Sequence, residues 1–328
     1  MNAKKLITLL FTCLLLSSCS GKLSMSGKSQ YPFVANGVEI KSSPQKVVTL
    51  SPALTEAVYT LGYGGKLVGV SDYCDRPAIS NEIPGCGSAL DPHIEGIKRL
   101  EADLVLTTTP LPEKDLLELQ QMNVKVVTIP RGSNFEDILK NYEVLAKTLG
   151  GLNRGQASDT QLRYYTDVTL NYIYSSMRTV TEGKSAIYLR DLDFTIATGD
   201  TLEGGILSEM GFTNQAAGYV NWNFPQDKEE ELNPDYIFYA NTIDPEKIKA
   251  SSFYKNTSAV KNDQLIPIDP TVFERQSPMM FDYLKNLLAT HFPDAFTEPR
   301  PSIIPPAPVE PKEEPGLWEK FMNKLKGN

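Results

Sequence analysis

The chain has 328 residues, with 32 Lys and Arg against 40 Asp and Glu, a net charge of −8, four cysteines and two histidines. A net negative chain with no basic run is a poor nucleic-acid binder, and two histidines leave little for a histidine-rich metal centre. An apolar fraction of 41% with 22% charged residues suits a globular protein of about two domains.

Residues 1–18 carry Lys4 and Lys5 and no acid, followed by the apolar run Leu6 to Leu16 and then Ser17-Ser18-Cys19. A positive start, a short apolar run and small residues before a cut describe a secretory signal. Eleven residues rise only about 16 Å as a helix, short of a hydrocarbon core of ~30 Å. Leu16-Ser17-Ser18-Cys19 resembles a bacterial lipobox, so Cys19 is expected to be the lipidated first residue and residues 19–43 an extracytoplasmic tether rich in Ser, Gly and Lys, ending in a small strand near Val38–Lys41. Cleavage takes Cys13 with the leader and moves the net charge from −8 to −10. Cys74 and Cys86 remain, too few for a disulfide scaffold or a four-cysteine zinc site. Outside the cytoplasm they are expected to pair across the loop Asp75 to Gly85; the alternative is two free buried thiols.

Residues 44–152 alternate short apolar runs with helical periods. Val47–Leu50, Leu67–Val70, Leu104–Leu106 and Val124–Val127 read as strands. Ala53–Leu61, His93–Leu100, Glu113–Met122 and Phe135–Leu149 read as helices, the first opened by Pro52 and closed by Gly62, the last stopped by Gly150-Gly151. Strands separated by single helices argue a parallel sheet wrapped by helices. Residues 153–178 show only helical periodicity and predict one long connecting helix. Residues 179–298 repeat the alternation: strands at Ala186–Leu189, Thr195–Thr198, Tyr236–Tyr239 and Leu265–Ile268, helices at Leu202–Met210, Lys228–Leu232 and Pro278–His291. The fold class is therefore α/β, two Rossmann-like lobes joined by one long helix, with a ligand cleft between them. Residues 299–315 hold seven prolines and predict an extended spacer. In residues 316–328, Leu317, Trp318, Phe321, Met322 and Leu325 oppose Lys320, Lys324 and Lys326, a short basic amphipathic segment that is either a solvated tail or a contact with membrane or partner.

Enzyme signatures fail. A phosphate-cradling glycine loop would need glycine where Arg178 precedes Gly183-Lys184-Ser185, and no Gly-x-Ser-x-Gly occurs. His93 and His291 sit at helix ends and read as surface or capping groups. In open α/β sheets a ligand lies outside the carboxyl ends of the strands. There this sequence places Ser71-Asp72-Tyr73-Cys74-Asp75, then Tyr219, Trp222 and Phe224, then Thr271-Val272-Phe273-Glu274-Arg275. Aromatic faces from two lobes can clamp a large flat ligand, and an arginine can bond its amides or phosphate.

The ordered series Val47-Val48-Thr49-Leu50-Ser51-Pro52 to Glu56, Val68-Gly69-Val70-Ser71-Asp72-Tyr73, Ile94-Glu95, Ala102-Asp103-Leu104-Val105-Leu106, Asn233-Pro234-Asp235-Tyr236 and Phe273-Glu274-Arg275-Gln276-Ser277-Pro278 resembles the cobalamin-type periplasmic substrate-binding proteins over about residues 44–296. The resemblance implies a binding protein and no enzyme or resident cofactor. Its ligand would be cobalamin or another corrinoid, a ferric siderophore or haem being the alternative. It would deliver that ligand, as an extracytoplasmic monomer, to a permease and its ATPase. By position it implies that Tyr73 and Trp222 stack on the ligand, and that Thr271, Phe273, Glu274 and Arg275 form a contact loop with Arg275 as donor. Arg190 and Arg131 are further cleft cations. Where the family's cobalamin binder carries tryptophans this chain has Ala89 and Thr108. The resemblance also implies one permease-docking acid per lobe, Glu95 and Asp227, with Glu229 and Glu230 as alternatives to the second; the competing reading is ordinary acids on solvated helix faces.

Overall fold

The computed structural model describes residues 30–297. The leader, Cys19, the proline spacer and the segment 316–328 lie outside the described residues.

Residues 30–43, expected within the tether, are part of the folded body. Strands β1 (Phe33–Ala35) and β2 (Val38–Ile40) form an antiparallel hairpin. Its turn is Asn36-Gly37, with φ of 45° and 85°. Asn-Gly accepts left-handed φ at both turn positions, which is why this pair closes two-residue hairpins. Ala35 and Ile40 are buried in the main core, and the Asn36 side-chain amide donates to the Thr128 carbonyl at 2.7 Å.

The first lobe is a four-stranded parallel sheet in the order β4-β3-β5-β6. The strands are β3 (Val47–Thr49), β4 (Leu67–Gly69), β5 (Leu104–Thr107) and β6 (Lys125–Thr128). Every residue of β3 and β5 is buried, as a parallel sheet covered by helices on both faces requires. The helices are α1 (Pro52–Thr60), α2 (Ile94–Arg99) and α3 (Glu113–Gln121). The second lobe repeats the arrangement with β7 (Ser185–Leu189), β8 (Thr213–Asn214), β9 (Tyr236–Ala240) and β10 (Leu265–Ile268) in the order β10-β9-β7-β8. In each lobe the second strand lies outside the first and the third and fourth continue on its other side. The strand order therefore reverses beside β3 and beside β7, the two switch points where α/β sheets open a crevice. Residues Thr195–Thr198, expected as a strand, form only isolated bridges from Thr195 to Asn223 and from Ile196 to Leu189, and the short β8 takes the edge instead. Lys228–Leu232, expected as a helix, falls in a 3-10 turn over Gln226–Glu231.

The connector is α4 (Phe135–Thr181), two helices joined end to end through Gly151, whose φ of 74° and ψ of −179° are not helical. Asn134 caps its start, accepting from the Asp137 N–H at 2.9 Å. The break is stitched by the strand that enters the hairpin. The Leu152 N–H donates to the Gln30 carbonyl at 3.0 Å, the Asn153 N–H to Gln30 Oε1 at 2.9 Å, and the Tyr31 hydroxyl to the Thr148 carbonyl at 3.1 Å. A Cβ on Gly150 would run into the Tyr63 hydroxyl, so glycine is required there by close approach. The remaining helices are α5 (Leu202–Glu209), α6 (Pro245–Ala250), α7 (Ser258–Lys261), α8 (Pro270–Phe273) and α9 (Met279–His291). The largest core cluster runs from Val47, Leu54 and Leu104 of the first lobe through Ile138 and Leu145 of α4 to Tyr188, Phe238 and Leu284 of the second. The outer faces of the two sheets carry separate clusters, one around Val48, Ile97 and Leu119, the other around Ile187, Phe194 and Tyr254.

Candidate functional site

A cavity of about 480 Å³ opens between the lobes at the two switch points. The first lobe lines it with Ser51 to Leu54 and Ala57 from the start of α1, Thr108 after β5, Ile129 to Arg131 after β6, and Ile138, Asn141, Tyr142 and Leu145 of α4. The second contributes Arg190 after β7, Trp222, Pro270, Thr271 and Glu274 to Gln276. One wall is mainly apolar and the other mainly polar.

Short α8 positions the polar wall. The Asp269 carboxylate accepts from the Thr271 N–H at 2.9 Å and starts the helix, while Pro270 occupies its first turn. Phe273 turns inward, fully buried, and meets Tyr188 edge-on at 5.2 Å. That anchor holds Thr271, Glu274 and Arg275 on the cleft side. Trp222 sits on a left-handed stretch, Asn221 and Trp222 having φ of 59° and 60°. The Asn221 N–H donates to Asp200 at 3.0 Å and the Trp222 N–H to Thr198 Oγ1 at 3.1 Å, which offsets the cost of that backbone. The Arg190 guanidinium lies over the indole ring, 5.3 Å from its centroid.

Charge in the cleft is arranged in pairs. Arg275 Nη1 donates to Glu56 Oε1 and to Asp75 Oδ1, both at 2.6 Å, so one guanidinium of the second lobe bridges two carboxylates of the first. The Glu56 side chain is 1% exposed and that of Arg275 13%. Burial works against the charge of Arg275, but its bonds to Asp75 and Glu56 outweigh this and raise its pKa above the ordinary arginine value. Burial likewise opposes ionisation of Asp75, yet the bond from Arg275 holds its carboxyl below the usual range. Arg76 donates to the Thr271 hydroxyl at 2.8 Å and lies 3.8 Å from Glu56. Arg190 pairs with Glu274 at 3.0 Å, and the same carboxylate accepts from the Tyr188 hydroxyl at 2.8 Å. Arg131 donates to the Glu274 carbonyl at 2.8 Å and approaches Glu203 at 3.5 Å. Glu203 is 2% exposed and its Oε1 has no hydrogen-bond partner; burial pushes its pKa up to about 7. Gln276 adds an amide pairing across the lobes: it accepts from the Gly132 N–H at 2.8 Å and donates to the Gly132 carbonyl at 2.9 Å.

The residues singled out from sequence therefore divide. Trp222, Thr271, Glu274 and Arg275 come together on the cavity wall. Phe273 is core, one layer behind it. Tyr73 lies outside the lining with its residue 73% exposed, two positions before Asp75. Thr108 lines the cavity, whereas Ala89 packs in the outer core of the first lobe. Glu95 and Asp227 are exposed, Glu95 in the first turn of α2 and Asp227 in the 3-10 turn of the second lobe. The expected Cys74–Cys86 disulfide is not present: both are free thiols. Cys74 contacts Thr55 Oγ1 at 3.1 Å beside the main core, while Cys86 is buried in the cluster on the sheet's other face. Burial, and after it the neighbouring Asp72, pushes the Cys86 thiol up to about 11. Glu56 was not foreseen as a site residue. The available signal was a carboxylate within Leu54-Thr55-Glu56-Ala57-Val58, a run too apolar to bury a charge without a cation.

Comparison with known proteins agrees with this architecture. A family profile described as periplasmic binding protein matches residues 47–272. An ABC transporter substrate-binding lipoprotein of Bacillus subtilis, YvrC, itself uncharacterized, is 24% identical over 269 residues, covering 80% of this chain and 84% of that one. A vitamin B12-binding protein of Vibrio cholerae is 23% identical over 269 residues, covering 78% and 92%. Among solved structures, a possible iron-binding periplasmic solute-binding protein of Staphylococcus epidermidis superposes with a TM-score of 0.65 at 21% identity, covering 76% of this chain and 100% of that one. A periplasmic haem-binding protein of Pseudomonas aeruginosa superposes at 0.62 and 21%, covering 76% and 93%. A match over most of the chain, two like-ordered α/β lobes on one connecting helix and a cleft at their switch points together establish that this chain belongs to the periplasmic binding protein family, whose members bind substrates and are not enzymes.

Proposed function

We propose that this chain is the extracytoplasmic, lipid-anchored substrate-binding component of an ABC importer that captures cobalamin or a related corrinoid and hands it to a permease driven by its ATPase. Relatives named as a B12-binding protein and as an ABC transporter substrate-binding lipoprotein support the class. The observation that carries the ligand is the charge balance of the cleft. Arg76, Arg131, Arg190 and Arg275 each face a carboxylate among Glu56, Asp75, Glu203 and Glu274. A wall so neutralised offers little to a polyanion. It suits a flat ligand with an apolar face and a rim of amides, stacked on Trp222 and bonded by Thr271, Glu274 and Arg275, its exposed part reaching Tyr73. In this reading Cys19 carries the lipid, and Glu95 and Asp227 meet arginines of the permease.

A second reading has its own observation. Arg131, Arg190 and Arg275 line one cavity. An anionic chelate able to displace their carboxylates, such as haem or a ferric siderophore, would find three guanidinium groups together. Calorimetric titration of the purified protein with cyanocobalamin, haemin and a ferric siderophore separates the two. Saturable binding of cyanocobalamin alone is expected. Binding of haemin or the siderophore with none of the corrinoid would replace the first reading by the second.

A further inference from the structure

We propose that Asp75 is the specificity residue of the cleft: its carboxylate, held against Arg275, makes the polar wall admit neutral ligands and turn anionic ones away. The inference rests on the reading of the interlobe cavity as the ligand site, and it applies to any flat chelate that cavity takes, corrinoid or haem.

Four charged groups meet at this edge of the cavity. Arg275 Nη1 bonds both Glu56 Oε1 and Asp75 Oδ1. Arg76 completes the group, with Nη2 3.3 Å from Asp75 Oδ2 and Nε 3.8 Å from Glu56 Oε1. Two cations and two acids cancel, so the cluster as a whole is neutral. Arg275 lines the cavity beside Thr271, and both of its bonds use one nitrogen; among the described residues Nε and Nη2 have no acceptor. A ligand carbonyl can therefore accept from Arg275 with both ion pairs intact. A carboxylate at the same place becomes the third acid on two arginines. The cluster then carries a net negative charge in a site partly withdrawn from water, where like charges are costly.

The two acids differ in what they are tied to. Glu56 is 1% exposed on α1, so its charge belongs to the packing of the first lobe. The Asp75 side chain is 53% exposed on the connection after β4, and its partners are Arg275 and Arg76. Asp75 is not itself a lining residue, so it acts on a ligand through Arg275. Asparagine at this position keeps an oxygen for Arg275 and gives up the charge. The cluster then becomes a net cation, and the guanidinium face that held the acid is open to a ligand carboxylate.

Calorimetric titration of the full chain and of Asp75→Asn with two matched pairs of ligands tests this. One pair is cyanocobalamin and its monocarboxylates, in which one side-chain amide is hydrolysed; the other is the diamide of haemin and haemin itself. Each pair changes charge on a constant ring, so whichever ring binds reads the effect of Asp75. Loss of corrinoid binding alone would sink the corrinoid reading and leave this proposal to the haem pair. In the unaltered chain the neutral member should bind at least about tenfold more tightly. Asp75→Asn should reduce that preference by about tenfold, by tightening the anionic member, while the neutral member shifts by less than about threefold. Asp75→Ala should relax the preference to the same extent. Glu82→Gln removes an exposed charge from the same connection without touching either arginine, and should leave the preference as it was. Equal changes in both members of a pair, or none in either, would overturn the proposal and leave Asp75 as a tie between the lobes. Relaxation by Glu82→Gln as large as that by Asp75→Asn would overturn it in favour of net charge alone.

Discussion

The two lobes are built on the same sheet order, yet they face the cleft with opposite chemistry. The first lobe presents Leu54, Ala57, Ile129, Ile138 and Leu145, with Glu56 and Asp75 as acceptors. The second presents Trp222, Thr271, Glu274 and Arg275, with donors that cross over. The difference arises after the strands end. β3 runs directly into α1, whose first turn is Pro52-Ala53-Leu54, so its backbone closes down on the cavity as an apolar wall. β10 runs into the single turn of α8, which leaves Glu274, Arg275 and Gln276 on irregular backbone with their polar groups aimed outward. A shared topology thus fixes where the cleft lies, while the residue sequence of the strand-end loops decides what it holds.

If the lobes are joined by a donor on one side and acceptors on the other, removing an acceptor should have the largest consequence. Glu56→Ala leaves Arg275 nearly buried with only Asp75, and breaking a buried pair in this way costs about 3–5 kcal/mol. Urea unfolding of the variant would read this. A loss below about 1 kcal/mol would mean that Arg275 relaxes into water and that the lobes are not tied here.

The next effect centres on a buried acid of the second lobe. The folded pKa of Glu203, about 7, lies above its ordinary value of 4.5. The folded state therefore holds a proton that the unfolded chain releases, and stability falls as pH rises from about 4.5 through 7, then levels. A shift of this size amounts to about 3 kcal/mol. Arg131 and Arg190 oppose the shift and Glu274 adds to it. Asp159, raised to about 6 mainly by burial, contributes in the same direction from α4. Glu203→Gln should lessen the slope over that range, leaving the part due to Asp159; an unchanged profile would assign it all to Asp159.

Aromatic contact sharpens the contrast further. Trp222→Ala should weaken corrinoid binding by up to about tenfold, the value of a well-placed ring contact. Tyr73→Ala, outside the cavity lining, should weaken it by less than about threefold. Calorimetry that found the reverse order would move the ligand's main platform to the first lobe. The smallest effect on the isolated protein is expected at Glu95 and Asp227, the exposed acids proposed above to meet the permease. Glu95→Ala and Asp227→Ala should leave ligand affinity unchanged and lower uptake in cells several-fold. Equal uptake for Asp227→Ala with loss for Glu230→Ala would transfer the role along the 3-10 turn.

The sequence made the periodic parts of this molecule plain and hid the parts that depend on partners. Val47–Thr49, Leu104–Thr107 and Tyr236–Ala240 were legible because strands buried on both faces are continuous apolar runs. The break in the connector was legible at Gly150-Gly151 because only glycine there tolerates both the close approach and the backbone. Of the hairpin at 33–40 only the second strand, near Val38–Lys41, was read; the first, Phe33–Ala35, and the Asn36-Gly37 turn that pairs them were overlooked, since a three-residue strand carries little pattern. The edge strand β8 has two residues and no pattern to read. The cysteine pairing failed because sequence spacing does not reveal which face of a sheet a side chain takes, and Cys74 and Cys86 took opposite ones. Arg275 was recognised as a cation at the site, but its partners lie 219 and 200 residues away, beyond any local signal.

The stitch at Gln30 and Tyr31 has a mechanical consequence. Everything ahead of the folded body joins it at the break in the connector, where Leu152, Asn153 and Thr148 receive the entering strand. A pull that arrives through the chain ahead of Gln30 is therefore applied at the connector between the lobes. With so short a lever arm it exerts almost no torque on either one.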